Sequence, residues 1–201
     1  MPETFTDDPL TTERFDEALA YASRHHRRQL RKGGRVPYVA HLLAVASIVL
    51  EMETTEDEAI AALLHDVIED GGGMAAHAEI TERFGADVAR IVLANSDSTT
   101  GETDKAPWHD RKRAYLAAIA HEQPDELRVS LADKLHNARS LVADHRVVGD
   151  ELWSRFTTGS ADDVRWYYRG LADAFAARAD DLGPGGRRAL DELRRTVDEL
   201  G

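Results

Sequence analysis

The chain has 201 residues, enough for one well-filled core, and nothing in its composition forces a second domain. Hydrophobic residues at 42% and charged residues at 31% argue against disorder, and no apolar run approaches the roughly 20 residues that span a bilayer. A formal net charge of −12 disfavours general nucleic-acid binding, and the absence of cysteine excludes disulfides and thiolate metal sites.

The N-terminus, Met1-Pro2-Glu3-Thr4, lacks the basic start and apolar stretch of a secretory leader, so a cytoplasmic protein is expected. Thr12 is placed to cap a helix through Phe15, Ala18, Leu19 and Ala22, which ends in a basic run from Arg24 to Lys32 broken by Gly33-Gly34. Pro37 occupies a first helical position, and Val39, Leu42, Leu43, Ala46, Val49 and Leu50 give that helix its buried stripe, with His41 on it. Thr55 and Glu58 form a capping box for a helix predicted to continue through His65, Asp66, Glu69 and Asp70 until Gly71-Gly72-Gly73 stops it. On such a helix His65 stands over Glu69, and Asp66 over Asp70.

From Ile80 to Leu93 one or two short helices are expected, then a polar loop from Asn95 to Pro107 and a helix from Trp108 to Ala120. Pro124 opens a helix with Leu127, Leu131, Leu135 and Leu141 inward, and the aromatic residues between Leu152 and Leu182 read as packing. Gly183-Pro184-Gly185-Gly186 reads as a break before a last amphipathic helix, Arg187 to Leu200. No window alternates with period two, so the expected architecture is an all-α, single-domain helical bundle over residues 1–201, with a core of about 12–182.

Four side chains stand out against this pattern. His41, the pair His65-Asp66, and Asp133 all lie in apolar helical surroundings, where isolated imidazoles and carboxylates are costly unless a positive charge sits among them. Each has a structural alternative: His41 as a hydrogen-bonded core histidine, Asp133 as a partner of Lys134 or Arg139. Taken together, two histidines and two aspartates from successive helices form a metal site of the kind that helical bundles hold, suited to Mn²⁺, Mg²⁺ or Fe²⁺ rather than structural zinc. The basic residues Arg27, Arg28, Arg31, Lys32 and Arg35 concentrate positive charge that an anionic substrate needs on so acidic a chain.

These residues also carry a resemblance. His41, His65-Asp66 and Asp133 match the H…HD…D pattern of the HD-domain phosphohydrolases. Arg31-Lys32-Gly33, Pro37-Tyr38-Val39-Ala40-His41, His65-Asp66-Val67-Ile68-Glu69-Asp70, Phe84-Gly85 and Ala132-Asp133-Lys134-Leu135-His136-Asn137 resemble the hydrolase domain of RelA/SpoT proteins, and especially its stand-alone small alarmone hydrolases. The resemblance implies Mn²⁺-dependent hydrolysis of the 3′-pyrophosphate of guanosine tetra- or pentaphosphate, with Fe²⁺ or another divalent ion as an alternative. It makes His41, His65, Asp66 and Asp133 the metal ligands, Glu69 and Asp70 the catalytic acids, and Arg31, Lys32, Lys134 and Asn137 substrate contacts. The implied partner is a small purine nucleotide, with no nucleic acid and no membrane, and an oligomer is compatible with the sequence. The chain departs from the pattern in its longer Lys32-to-Pro37 spacing, in Leu42 after the histidine, and in Asn95-Ser96-Asp97-Ser98. Two alternatives remain open at this point: an NADPH 2′-phosphatase or other nucleotide phosphohydrolase, and a non-catalytic helical binding module with a degenerate site.

Overall fold

The computed structural model describes residues 9–96, 107–156, 158 and 160–201, and among them every regular element is helical except one antiparallel bridge between Leu30 and Pro37. The helices are α1 (Glu13–His25), α2 (Val39–Glu51), α3 (Glu56–Leu64), α4 (Gly73–Phe84), α5 (Ala86–Ala94), α6 (Trp108–Ala118), α7 (Pro124–Val148), α8 (Ala161–Ala176) and α9 (Gly183–Asp198), joined in places by short 3₁₀ turns. The fold is all-α.

Local chemistry accounts for the starts of α1, α3 and α7. Thr12 caps α1 by accepting from the Arg14 amide, and Thr55 and Glu58 close a reciprocal capping box on α3. Gln123 and Glu126 do the same for α7, with Pro124 in its first turn.

α7 is the spine of the molecule. Its 25 residues extend about 37 Å at about 1.5 Å per residue, and it packs on α2, α3, α5, α8 and α9. Leu127, Leu131, Leu135 and Ala138 are essentially fully buried along it. Two polar ties fix its register. The Arg128 guanidinium donates from Nε to Glu58 Oε1 at 2.6 Å, and Arg90 on α5 reaches Asp125 Oδ2 at 2.5 Å and Glu126 Oε1 at 2.6 Å. Trp153, Tyr167, Tyr168 and Phe175 are buried, in line with a packing role, whereas Trp166 remains partly exposed.

The structure corrects four boundaries. α3 ends at Leu64, short of the His-Asp pair, because the His65 ring donates from Nδ1 to the Ala62 carbonyl at 2.8 Å and takes the acceptor that the Asp66 amide would use. A wide turn over Ile68–Gly72 follows, in which the Asp70 amide still reaches the Asp66 carbonyl at 2.9 Å. Gly71, with φ near +119°, leaves the helical region there. Pro37 belongs to the bridge with Leu30, so α2 starts at Val39. α4 begins at Gly73, well before Ile80. Asn95 and Ser96 finish α5, while Asp97 and Ser98 and the rest of the expected loop to Ala106 lie outside the described residues.

The fourth correction concerns the glycine run at 183–186, which is the first turn of α9 rather than a break. Its purpose is close approach: a Cβ at Gly185 would lie 2.4 Å from the Met52 carbonyl oxygen at the end of α2. Gly185→Ala is therefore expected to destabilise the protein by about 1–3 kcal/mol despite alanine's better helix propensity, since the obstructing atom is backbone. A denaturant midpoint equal to or above that of the parent contradicts this reading.

A second stability prediction comes from Glu122, just before α7. Burial raises its carboxyl to about 7 against the ordinary 4.5; Lys134 and Arg178 work in the other direction, and Glu126 adds to the rise. Its Oε2 is buried without a hydrogen-bond partner among the described residues. The unfolded chain releases this proton first, so stability is full below about pH 4.5 and falls as the pH rises to about 7. Glu122→Gln is expected to remove on the order of 2–3 kcal/mol of that loss. Denaturant unfolding of both proteins at pH 5 and pH 8 checks it, and equal pH dependence would refute it.

Candidate functional site

α2, the turn after α3, and the middle of α7 bring His41, His65, Asp66 and Asp133 to one point. His41 Nε2 and His65 Nε2 lie 3.2 Å apart. Asp66 Oδ2 is 3.0 Å from the His65 nitrogen and 3.5 Å from that of His41. Asp133 Oδ1 is 3.2 Å from the His41 nitrogen and 3.7 Å from that of His65. His41, His65 and Asp133 alone place one donor atom each within 4.8 Å of the others, all three residues being buried.

The outward atoms of the rings decide what faces inward. A carbonyl only accepts, so His65 carries its proton on Nδ1 towards Ala62 and turns Nε2 to the cluster. His41 meets His136 through their Nδ1 atoms at 2.7 Å and likewise turns Nε2 inward. Burial, followed by the charge of His41 and Arg31, pushes the His136 imidazole down to about 4, which makes it the neutral acceptor of that contact. Burial opposes a charged His65, but Asp66 and Asp133 outweigh it and raise the imidazole well above its ordinary range. Burial likewise opposes the charged carboxylates, yet His65 and His41 hold Asp66 low, and Lys134 with the two histidines holds Asp133 low. Two imidazole nitrogens and two carboxylate oxygens converging there are a donor set that fits a divalent cation.

A ring of hydrogen bonds holds these donors. The Tyr38 hydroxyl donates to Asp66 Oδ2 at 2.6 Å, its ionisation pushed up by burial and by Asp66, and its ring stacks on buried His26 at 5.0 Å. Asn137 donates from Nδ2 to Asp133 Oδ1 at 2.6 Å while its Oδ1 accepts from Arg31 Nη2 at 2.7 Å. Lys134 pairs with Asp133 Oδ2 at 2.6 Å and lies over the Tyr115 ring at 4.6 Å.

Beside the cluster opens a cavity of about 630 Å³, lined by His41, His136, Asn137, Arg31 and Lys32, with Leu152, Phe156 and Tyr168 among its apolar lining. Of the expected substrate contacts, Arg31, Lys32 and Asn137 line it. Lys134 does not, being held by Asp133, and Arg27, Arg28 and Arg35 are also absent from its lining. Glu69 is half-buried on the turn after the His-Asp pair, and Asp70 Oδ2 accepts from Gln29 Nε2 at 2.7 Å. Tyr38, His136, Gln29 and Arg155 were not singled out from sequence. Tyr38 and His136 each stand three residues from a cluster residue on a helix or at its start, which is the signal that could have found them.

Comparison with known proteins adds to this geometry. The family model described as an HD domain matches residues 18–154, more than half of the chain. The chain belongs to the HD-domain family. Among curated relatives of this HD protein, it is 38% identical over 128 residues to a human guanosine-3′,5′-bis(diphosphate) 3′-pyrophosphohydrolase, MESH1, across 62% of this chain and 68% of that one. It is 36% identical over 151 residues to a GTP pyrophosphokinase of Myxococcus xanthus, covering 73% of this chain but only 19% of that protein. A solved structure described as a metazoan SpoT orthologue that hydrolyses ppGpp superposes with a TM-score of 0.71 at 27% identity, over 99% of both chains.

If Tyr38 orients Asp66, Tyr38→Phe is expected to weaken binding of a divalent cation by about 10–100-fold, the usual cost of losing an outer hydrogen bond to a ligand. Calorimetric titration of the metal-stripped protein with Mn²⁺ measures it. An affinity equal to the parent's would mean that the hydroxyl has no such role.

Proposed function

We propose that this single-domain HD protein is a guanosine-3′,5′-bis(diphosphate) 3′-pyrophosphohydrolase acting in the cytoplasm, with His41, His65, Asp66 and Asp133 as ligands to Mn²⁺. The observation that carries the reading is the four-donor cluster beside a cavity whose rim residue Arg31 is tied to it through Asn137 and Asp133. The relatives named for this activity and the match in fold support the same substrate class. A bound divalent cation supplies positive charge to a phosphoryl oxygen and makes water more acidic.

The chain's own residues do the rest. Arg31 offers a planar pair of donors for phosphate, and Lys32 adds a second positive charge to the cavity lining. Water attacks the phosphorus joined to the ribose 3′ oxygen, that P–O bond breaks, and pyrophosphate departs as the ribose oxygen gains a proton. Glu69 and Asp70 are the carboxylates that take a proton from the water and return one to the ribose oxygen. The hydrogen bond from Gln29 fixes the direction of Asp70 for this task. Leu152, Phe156 and Tyr168 supply the apolar side of the cavity, against which a purine can lie.

The deciding experiment gives metal-stripped protein resupplied with Mn²⁺ either guanosine tetraphosphate or NADPH. GDP and pyrophosphate from the first are expected; inorganic phosphate and NADH from the second alone would replace this reading with a 2′-phosphatase. Asp66→Ala is expected to purify without Mn²⁺, and Asp70→Asn to lower kcat by about 10²–10⁴-fold. Lys32→Glu is expected to raise KM, more at low than at high salt. A KM independent of salt in that variant would remove the basic wall from substrate binding.

A further inference from the structure

In the cavity that Arg31 and Lys32 line stands a further side chain that the mechanism above leaves without a task. Arg155 ends the 3₁₀ segment Gly149–Arg155 that follows α7, and it lines the cavity. It lies against Gly33: a Cβ at that glycine would come 2.6 Å from Arg155 Cδ and 3.0 Å from Nε. Gly33 has φ near +82°, so both its backbone conformation and its missing side chain let the guanidinium arch over the basic loop. The side chain is about three-quarters shielded from solvent.

Its hydrogen bonding is incomplete. Among the described residues Arg155 makes one polar contact, from Nη1 to Asp144 Oδ2 at 3.0 Å, and Asp144 is itself half-exposed. Nε and Nη2 have no protein partner among those residues. A guanidinium held in a cavity wall with donors to spare is suited to phosphate, which accepts two parallel N–H bonds. Among the described residues Arg155 makes no hydrogen bond to the cluster residues, whereas Arg31 is linked to them through Asn137. The cavity therefore has one arginine linked to the cluster by hydrogen bonds and another held by Asp144 instead.

Resting on the phosphohydrolase reading, we infer that Arg155 is a specificity-determining residue that grips the substrate phosphate which is not hydrolysed. For a nucleotide phosphorylated at both ribose positions, the 3′ group lies at the cluster and the 5′ group at Arg155. Asp144 is the internal competitor for that guanidinium: it holds the arginine in place when the cavity is empty and weakens its grip on an anion. The carboxylate and the substrate phosphate want the same donors, so removing one strengthens the other.

The test uses the full chain with Mn²⁺ and two substrates, guanosine tetraphosphate and guanosine 3′-diphosphate, which lacks the 5′ phosphates. Arg155→Ala is expected to lower the ratio of kcat/KM for the first over the second by about 10–100-fold, through KM, with Arg155→Lys recovering part of it. Asp144→Asn is expected to shift KM for guanosine tetraphosphate the opposite way, to a lower value. If Asp144→Asn instead mimics Arg155→Ala, or if the ratio is unchanged in Arg155→Ala, the pair is structural and the inference is overturned.

Equilibrium binding of GDP, which carries only the 5′ phosphates, to the metal-stripped proteins separates this inference from the reading it rests on. Weaker GDP binding by Arg155→Ala together with no turnover of either substrate by the parent would sink the hydrolase reading and leave Arg155 as an anion contact. Turnover by the parent with equal GDP affinity in Arg155→Ala and parent would do the reverse.

Discussion

Everything in this molecule is arranged so that two buried imidazoles and two carboxylates can face one another at 3.0–3.7 Å. Such a group is unstable alone. Burial disfavours every charge in it, and it persists because each charge is offset by an opposite one and because each ring is held from behind. The Ala62 carbonyl and His136 hold the backs of the two histidines, while Tyr38, Asn137 and Lys134 hold the carboxylates. The result is a rigid set of donors with a standing demand for positive charge.

The long helix α7 supplies the ruler for this arrangement. Asp133, His136 and Asn137 stand three and four residues apart, so one face of one helix delivers a cluster carboxylate, the partner of His41 and the hydrogen-bond link to Arg31. The ion pair of Arg128 with buried Glu58 and the contacts of Arg90 to Asp125 and Glu126 keep that face in register with α3 and α5. Loss of register by a single residue would turn Asp133 away from the cluster by about 100° on a helix of about 3.6 residues per turn.

Charge explains how an acidic chain can accommodate an anion. The formal charge of −12 is spread over the surface, while Arg31, Lys32 and Arg155 all line one cavity. Local potential there is set by the nearest groups because salt screens the more distant ones within about 8–10 Å.

Much of the architecture follows from the sequence by itself. Helical periodicity, Thr12, the Thr55–Glu58 box and Pro124 determine an all-α chain and the starts of α1, α3 and α7, because caps and apolar spacing act over a few residues. The identities of His41, His65, Asp66 and Asp133 were equally legible, since charged groups on apolar helical faces need a partner. The tertiary structure decided what depends on residues far apart in the chain. It drew Gly183–Gly186 into α9 because Met52 approaches there, and laid Arg155 over Gly33. Neither of these contacts has a local signature. Each is a meeting of two surfaces, and only packing brings them together.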